Sequence, residues 1–441
     1  MSATADELYW INAAYYNSGV AFTDGSVYKC DLAKDAGRCL PNTTRKLHES
    51  FGTAYVRAVR AVAPPLGELA PTSAGCAAGC QHLCLRSSCR CAVGQRGAER
   101  CRPVDEFVVY EDSKVVRSIC LPAEDSSRCQ AFVPFLAGLR LRKTERTGFD
   151  YDSLTRELYY GGKNAIYRAD LDTGNSTILL YQRAVFFGPL ALDWMTKNLY
   201  YTEIEQRGNV SFYILKVLSA RPDVDAEKSS SMLWELGKIH TMATCPWKGY
   251  LFLSVFHNGA GRFHMRRINV DGTDMTILAG LNDTTFFSID HPNEKLYTIN
   301  NVTSMLVRSD FDGQQIENVS LVEGVADVTG FLVNDRVIYL KYRSRMIKLD
   351  KQTGKSLGEV DLEPYDSDMS MNLKLHNATM FGIYDANPCA TGNGGCDNFC
   401  FALSGKDGSG LKKICRCFDG VVCHGDTRSG MELAEIIKNK M

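Results

Sequence analysis

Apolar and polar positions repeat along the middle of the chain. An apolar stretch ends near Asp, a polar turn follows, and a Tyr or Leu-Tyr opens a second apolar stretch. The unit appears at Phe149-Asp150-Tyr151-Asp152 with Leu158-Tyr159-Tyr160, and at Leu190-Ala191-Leu192-Asp193-Trp194 with Leu199-Tyr200-Tyr201-Thr202-Glu203. It returns at Ala243–Phe252, Phe287–Tyr297 and Phe331–Tyr339. The anchors Tyr159, Tyr200, Phe252, Tyr297 and Tyr339 stand 41, 52, 45 and 42 residues apart. That period fits a four-stranded propeller blade of ~40–50 residues.

Each unit continues into a third, basic-apolar strand. Examples are Ile166-Tyr167-Arg168-Ala169-Asp170, His264-Met265-Arg266-Arg267-Ile268, Leu306-Val307-Arg308-Ser309 and Met346-Ile347-Lys348-Leu349. Turns such as Asp172-Thr173-Gly174, Asp271-Gly272-Thr273 and Asp312-Gly313-Gln314 close it and return the chain antiparallel. Before the five full units, Phe107–Ile119 supplies second and third strands without a first. After them, Asn372–Asn377 supplies a first strand without successors. The two halves predict one shared sixth blade, so the fold class is all-β, a six-bladed propeller over 105–385. Closing a ring with strands from both ends removes an exposed sheet edge.

Residues 1–63 read as strands, including Leu8-Tyr9-Trp10-Ile11-Asn12 and Val27–Leu32, and are expected to be partial blades of a preceding propeller. Residues 64–75 form a Pro- and Gly-rich linker. The 17 cysteines cluster: six between Cys76 and Cys101, six between Cys389 and Cys423, and the pairs Cys30/Cys39 and Cys120/Cys129, with Cys245 left over. Tight clusters of six indicate disulfide frameworks and an oxidising compartment. Seven Asn-x-Ser/Thr glycosylation acceptors, Asn42, Asn175, Asn209, Asn282, Asn301, Asn318 and Asn377, point the same way. The formal net charge of -1 gives no electrostatic case for nucleic acid or an anionic membrane. Residues Met1–Leu8 lack a leader pattern and no run of ~18 apolar residues occurs, so the chain is expected to be a piece of something larger.

The units and flanks resemble the YWTD propellers of the low-density lipoprotein receptor family. Leu190–Trp194 with Leu199–Glu203 is similar to the family's LAVDW and YWTD runs, and Asn387-Pro388-Cys389 through Gly394-Gly395-Cys396-Asp397-Asn398-Phe399-Cys400 is similar to its EGF-like opening. The order of module, propeller and module is also the family's. No unit holds a complete Tyr-Trp-Thr-Asp, whose Thr and Asp join neighbouring blades in the family. Glu203 and Asn300 are expected to substitute in part, and the other seams to rely on packing.

The resemblance implies EGF-like modules over 76–101 and 387–423, with Cys76 bonded to Cys84, Cys80 to Cys89, Cys91 to Cys101, Cys389 to Cys400, Cys396 to Cys415 and Cys417 to Cys423. Sequence alone permits 15 pairings of six cysteines. Cys30/Cys39 and Cys120/Cys129 read as hairpin bridges, and Cys245 as a buried thiol. Zinc needs paired Cys-x2-Cys spacing, which is missing; His82 and His424 are the histidines near the cysteines. At the second module the calcium position holds a single acid, Asp385, so no cofactor is expected. Residues 424–441 form a tail without an assigned role.

No nucleophile elbow, His-Glu-x-x-His or phosphate loop is present, so no catalysis is expected. Asp150, Asp152, Asp193 and Asp290 recur at fixed blade positions and are expected to cap turns or join blades. His257 and His264, in one hairpin, are candidates for sensing endosomal acidity. Trp194, Trp247, Tyr201 and Tyr342 are candidate rim aromatics. The resemblance implies an extracellular or cell-surface segment that passes through endosomes and binds or releases protein ligands, lipoproteins among them, through the propeller face. A nidogen-like matrix module and, further off, a propeller hydrolase are the alternatives.

Overall fold

The computed structural model describes, with side chains, residues 106–110, 148–161, 164–171, 176–183, 187–205, 213–221, 237–257, 260–342, 345–359, 373–375, 387–405 and 410–419, plus 185 and 232. Several further strands are described by backbone pairing alone. The chain divides into two compact units, Met1–Pro103 and Val104–Met441.

In the first unit, β1 (Ser2–Ala3), β2 (Glu7–Asn12), β3 (Ser26–Asp31) and β4 (Arg45–His48) form one antiparallel sheet in sequence order. Two small hairpins follow. They are β5 (Leu83–Leu85) with β6 (Ser88–Arg90), and β7 (Gln95–Arg96) with β8 (Arg102–Pro103). Cys30, Cys39, Cys76, Cys80, Cys84, Cys89, Cys91, Cys101, Cys120 and Cys129 have side chains outside the described residues, as do the linker 64–75 and the tail 424–441.

The second unit is the propeller. Its first blade holds β9 (Glu106–Asp112), β10 (Val115–Cys120) and β11 (Ala131–Phe132). The next two blades use β12 (Phe149–Asp152), β13 (Glu157–Asp170), β14 (Ser176–Asp193), β15 (Asn198–Arg207), β16 (Val210–Ser219) and β17 (Ser229–Glu235). The fourth blade is β18 (Lys238–Cys245), β19 (Tyr250–His257), β20 (Arg262–Asn269) and β21 (Thr276–Ile277). The fifth is β22 (Thr284–Asp290), β23 (Lys295–Asn300), β24 (Met305–Ser309) and β25 (Glu317–Leu321). The sixth is β26 (Gly330–Val333), β27 (Val337–Lys341), β28 (Arg345–Asp350) and β29 (Ser356–Asp361).

The ring closes as the sequence predicts. Strand β30 (Leu373–Asn377) pairs antiparallel with β9, setting Leu373 opposite Tyr110 and Asn377 opposite Glu106. The first sheet therefore runs β11-β10-β9-β30, with the late strand innermost. Innermost strands then touch in a closed cycle: β30 to β12, β12 to β14, β14 to β18, β18 to β22, β22 to β26, and β26 back to β30.

One sheet contains six strands, β12 through β17, because β13 and β14 each serve twice. The start of β13 pairs with β12 and its end with β14. Tyr160 and Tyr167 stack with ring centroids 5.1 Å apart, although seven extended residues would cover ~23 Å. The chain therefore folds back between them, where Asn164 takes φ 67°. Likewise β14 begins as the outer strand of blade two and ends as the inner strand of blade three, pairing with β15.

Three of the turns that follow inner strands share a construction. Asp152 Oδ1 accepts from the amides of Leu154 and Thr155, Asp193 Oδ1 from Met195 and Thr196, and Asn334 Oδ1 from Arg336 and Val337. At the corresponding last position of four inner-strand turns, Arg156, Lys197, Gly249 and Glu294 have φ between 51° and 67°. Side-chain capping by Asp152 and Asp193 accompanies Arg156 and Lys197 in the left-handed region, which costs ~1–2 kcal/mol per L-residue.

Candidate functional site

All six inner strands line one central channel of about 140 Å³. Its wall is polar and apolar in equal measure, with Leu190, Met242, Phe286 and Leu375 among the lining residues beside Thr241 and Ser288. The carboxylate among the described lining residues is Asp150. Its charge is met at once: Lys374 Nζ lies 2.9 Å from Oδ1, and the Leu192 amide donates to Oδ2 at 2.8 Å. Trp194 and His291 also line the channel, in edge-to-face contact at 5.2 Å. Burial pushes the His291 imidazole down to about 3, so it stays neutral through the endosomal range.

The recurrent carboxylates act structurally. Asp150 and Asp152 both reach blade three, the second through Lys197. Asp290, fully buried, pairs with Lys351 Nζ of blade six at 2.6 Å. Asp193 caps its turn, and burial raises its carboxyl to about 6. No group of three or more His, Cys, Asp or Glu suited to a metal ion occurs among the described residues.

The seams between blades differ from expectation. Glu203 pairs with Lys216 at 2.8 Å on the adjacent strand of its own sheet. Asn300 caps the turn at Val302 and Thr303 and donates to the Asn282 carbonyl at the entry to its own sheet. Neither reaches another blade. Instead every seam carries a polar contact from an inner or second strand. Ser153 donates to the Leu375 carbonyl, Thr244 to the Leu192 carbonyl at 2.6 Å, and Ser254 to the Thr284 carbonyl at 2.6 Å. The Val333 amide donates to Ser288 Oγ, and Asn334 Nδ2 to Glu106 Oε1, both at 3.0 Å.

The expected rim aromatics are mostly interior. Trp194, Tyr201 and Tyr342 are buried, and Trp247 packs against the cluster that contains Trp194 and Tyr201. A large side chain near a blade edge finds the next blade before it finds solvent.

The carboxy-terminal module is seated on blades three and four. Cys389 is bonded to Cys400 and Cys396 to Cys415 across the hairpin of β31 (Phe399–Ser404) and β32 (Leu411–Arg416). Cys417 is also disulfide-bonded; Cys423 lies outside the described residues. Gly394, at φ 58°, lies so close to the Pro388 carbonyl and Cys400 Sγ that a Cβ would stand 2.7 and 2.8 Å away. Phe399, Phe401 and Phe418 join Tyr200, Leu251 and Val270 in one apolar cluster. Asn198 Nδ2 donates to the Cys400 carbonyl, Arg416 to the Asp271 carbonyl, and Ser404 to the Lys248 carbonyl. Sequence reasoning missed this seat. Its signal was three phenylalanines in a module too small to bury them itself.

His257 and His264 do come together, with rings 5.1 Å apart and edge to face. His257 Nε2 is 2.6 Å from an Arg266 guanidinium nitrogen, and His264 Nδ1 is 3.1 Å from Asn282 Oδ1. Cys245 is a free, buried thiol that burial pushes up to about 12, which keeps it protonated. Asn301 and Asn318 are exposed and Asn282 is half-buried. The side chains of Asn42, Asn175, Asn209, Asn377 and Asp385 lie outside the described residues.

No known family profile matches the chain. It is 24% identical over 346 residues to low-density lipoprotein receptor-related protein 5 of Mus musculus, a match that covers 73% of this chain and 20% of that protein. The chain thus spans a fifth of the curated relative's length. Among solved structures, a chain of a nidogen/laminin complex aligns with TM-score 0.48 and 14% identity over 62% of this chain and 98% of its own. A luciferin-regenerating enzyme aligns with TM-score 0.36 and 12% identity over 49% and 75%. With its closed ring, its disulfide-bonded EGF-like module and this sequence match, the chain is a six-bladed propeller similar to the YWTD propellers of the low-density lipoprotein receptor-related proteins.

Proposed function

We propose that the chain is an extracellular, non-catalytic ligand-binding segment of a receptor, which takes protein ligands on the propeller face over the central channel. The channel carries this reading. At about 140 Å³ it is below the ~300–1,000 Å³ of sites that enclose small molecules. Its carboxylate is neutralised by Lys374, and burial disfavours proton uptake by the lining imidazole, His291. A narrow bore of mixed polarity with one ion pair at its side suits a single inserted side chain of a larger partner. Ala243, half-buried on the wall, offers a test. Peptides selected from a displayed random library on the secreted chain lose at least ~10-fold in affinity on Ala243→Arg, with thermal unfolding unchanged. Equal affinity for both proteins refutes channel-mouth binding.

Acid release fits the pair His257 and His264. Neutral His257 accepts from Arg266; once protonated it offers no lone pair and sets a second cation against that guanidinium. Titratable and charged neighbours on the packed elements include His264, Arg262 and Asp283, the last two ion-paired at 2.9 Å. Affinity of the selected peptides at about pH 7.4 and about pH 5.5 is compared for parent, His257→Ala and His264→Ala. Identical pH dependence in all three removes the histidines from the mechanism.

A further inference from the structure

The fifth blade carries two glycosylation acceptors on its open surface, and its exposed apolar side chains cluster around them. Asn301, Val302 and Thr303 form the exposed turn between β23 and β24. Val302, next to Asn301, is 76% exposed. Asn318 is exposed on β25, the outer strand of the sheet. Ile316 and Leu321, within three positions of it, are 44% and 63% exposed. These three account for a third of the nine large apolar side chains exposed among the described residues.

The third acceptor in this region is built differently. Asn282 is half-buried with its Oδ1 at His264 Nδ1, and the hydroxyl-bearing Thr284 of its triplet is 1% exposed. A sugar there would have to enter the seam between blades four and five. Asn301 and Asn318 are themselves exposed, although the Gly354 turn packs against Val319 and Ser320 of the second triplet. The Asn301 amide touches Thr285 Oγ1 at the surface, and Asn318 makes no side-chain hydrogen bond among the described residues.

Resting on the extracellular reading above, we propose that Asn301 and Asn318 carry N-linked glycans that cover Val302, Ile316 and Leu321 and block the edge of β25, while Asn282 stays unmodified. The donor is a lipid-linked oligosaccharide pyrophosphate. The side-chain amide nitrogen bonds to the anomeric carbon, the carbon–oxygen bond to the pyrophosphate breaks, the lipid pyrophosphate leaves, and one amide proton is lost to base. A bare outer strand presents unpaired N–H and C=O groups to any second chain, and a bulky hydrated glycan keeps that chain at a distance.

The full chain is secreted from cultured animal cells behind a cleavable leader. It is then treated with peptide N-glycosidase in heavy-oxygen water and mapped by mass spectrometry. Label is expected at positions 301 and 318 and not at 282. Secreted, disulfide-bonded protein with either Asn301 or Asn318 unlabelled, or with Asn282 labelled, overturns the assignment and leaves the extracellular reading intact. Retention in the cell with Cys389, Cys396, Cys400 and Cys415 as free thiols sinks the extracellular reading and the proposal together. For the covering role, the enzymatically trimmed native protein is expected to self-associate several-fold more by light scattering. A Val302→Ser, Ile316→Ser, Leu321→Ser variant trimmed alike is expected to stay monodisperse. Monodisperse trimmed parent overturns the covering role.

Discussion

Lys351→Met tests the seam between blades five and six. Lys351 is 2% exposed and its Nζ donates to Asp290 Oδ2 at 2.6 Å and to the carbonyls of Asn334 and Asp335 at 3.0 and 3.2 Å. Methionine keeps the stem and removes the cation. Asp290, fully buried, then retains only the Asn293 side-chain amide, 3.1 Å from both its oxygens. Breaking a buried pair by deleting one partner costs ~3–5 kcal/mol, because the remaining charge is uncompensated. Taking ~4 kcal/mol, and 2–4 °C per kcal/mol for a domain of this size, the melting temperature falls by roughly 8–16 °C. Replacing both residues, Lys351→Met with Asp290→Leu, removes the stranded charge, so the double variant is expected within ~1.5 kcal/mol of the parent. Urea unfolding followed by tryptophan fluorescence gives all four corners of the cycle. A single-variant loss below ~1 kcal/mol, or single losses that simply add in the double variant, refutes the reasoning.

Acid should weaken the fold through His291. Its folded-state value of about 3 lies below the ~6.5 of the unfolded chain, so the unfolded state binds the extra proton and stability falls as pH drops through that window. Between pH ~6.5 and ~5 the loss is ~2 kcal/mol, and His291→Gln is expected to flatten the urea-midpoint profile by that amount; parallel profiles contradict it. Gly249→Ala should unseat the carboxy-terminal module, because Gly249 sits at φ 67° with a Cβ position 2.1 Å from the Ala402 carbonyl oxygen. Proteolysis within residues 387–419 is expected to rise ~10-fold, and an unchanged rate argues that the seat is unimportant.

The ring was legible because its signals are local. Alternating apolar positions, the Asp at each inner-strand end and the Asx-Gly turns mark strands one by one, and the orphan strands at Phe107 and Leu373 then have one place to go. The seams were not legible. Whether Asp290 serves its own turn or the next blade depends on Lys351, 61 positions away, and nothing at either position announces the other. Glu203 stands where the family's motif has its joining acid, yet Lys216, diagonally across on the neighbouring strand opposite Tyr201, captures it first. The two roles of β13 were legible in the same way as the ring: Gly161-Gly162 and Asn164, at φ 67°, mark the reversal between Leu158–Tyr160 and Ile166–Asp170, which the pattern reads as separate strands. The channel wall followed from the ring, but the Asp150–Lys374 pair joins an early strand to the closing strand and has no sequence-local trace.

Pairing of β30 with β9 also sets a timetable for biosynthesis. Leu373 leaves the ribosome about 270 residues after Glu106, which at ~5–20 residues/s leaves the inner edge of β9 open for on the order of half a minute. Throughout that interval the first blade lacks its final hydrogen-bonding partner, and any nascent strand nearby can occupy the vacancy. Faithful production therefore calls for a chaperone that shields a waiting edge, and a slow codon stretch before residue 373 would lengthen the exposure.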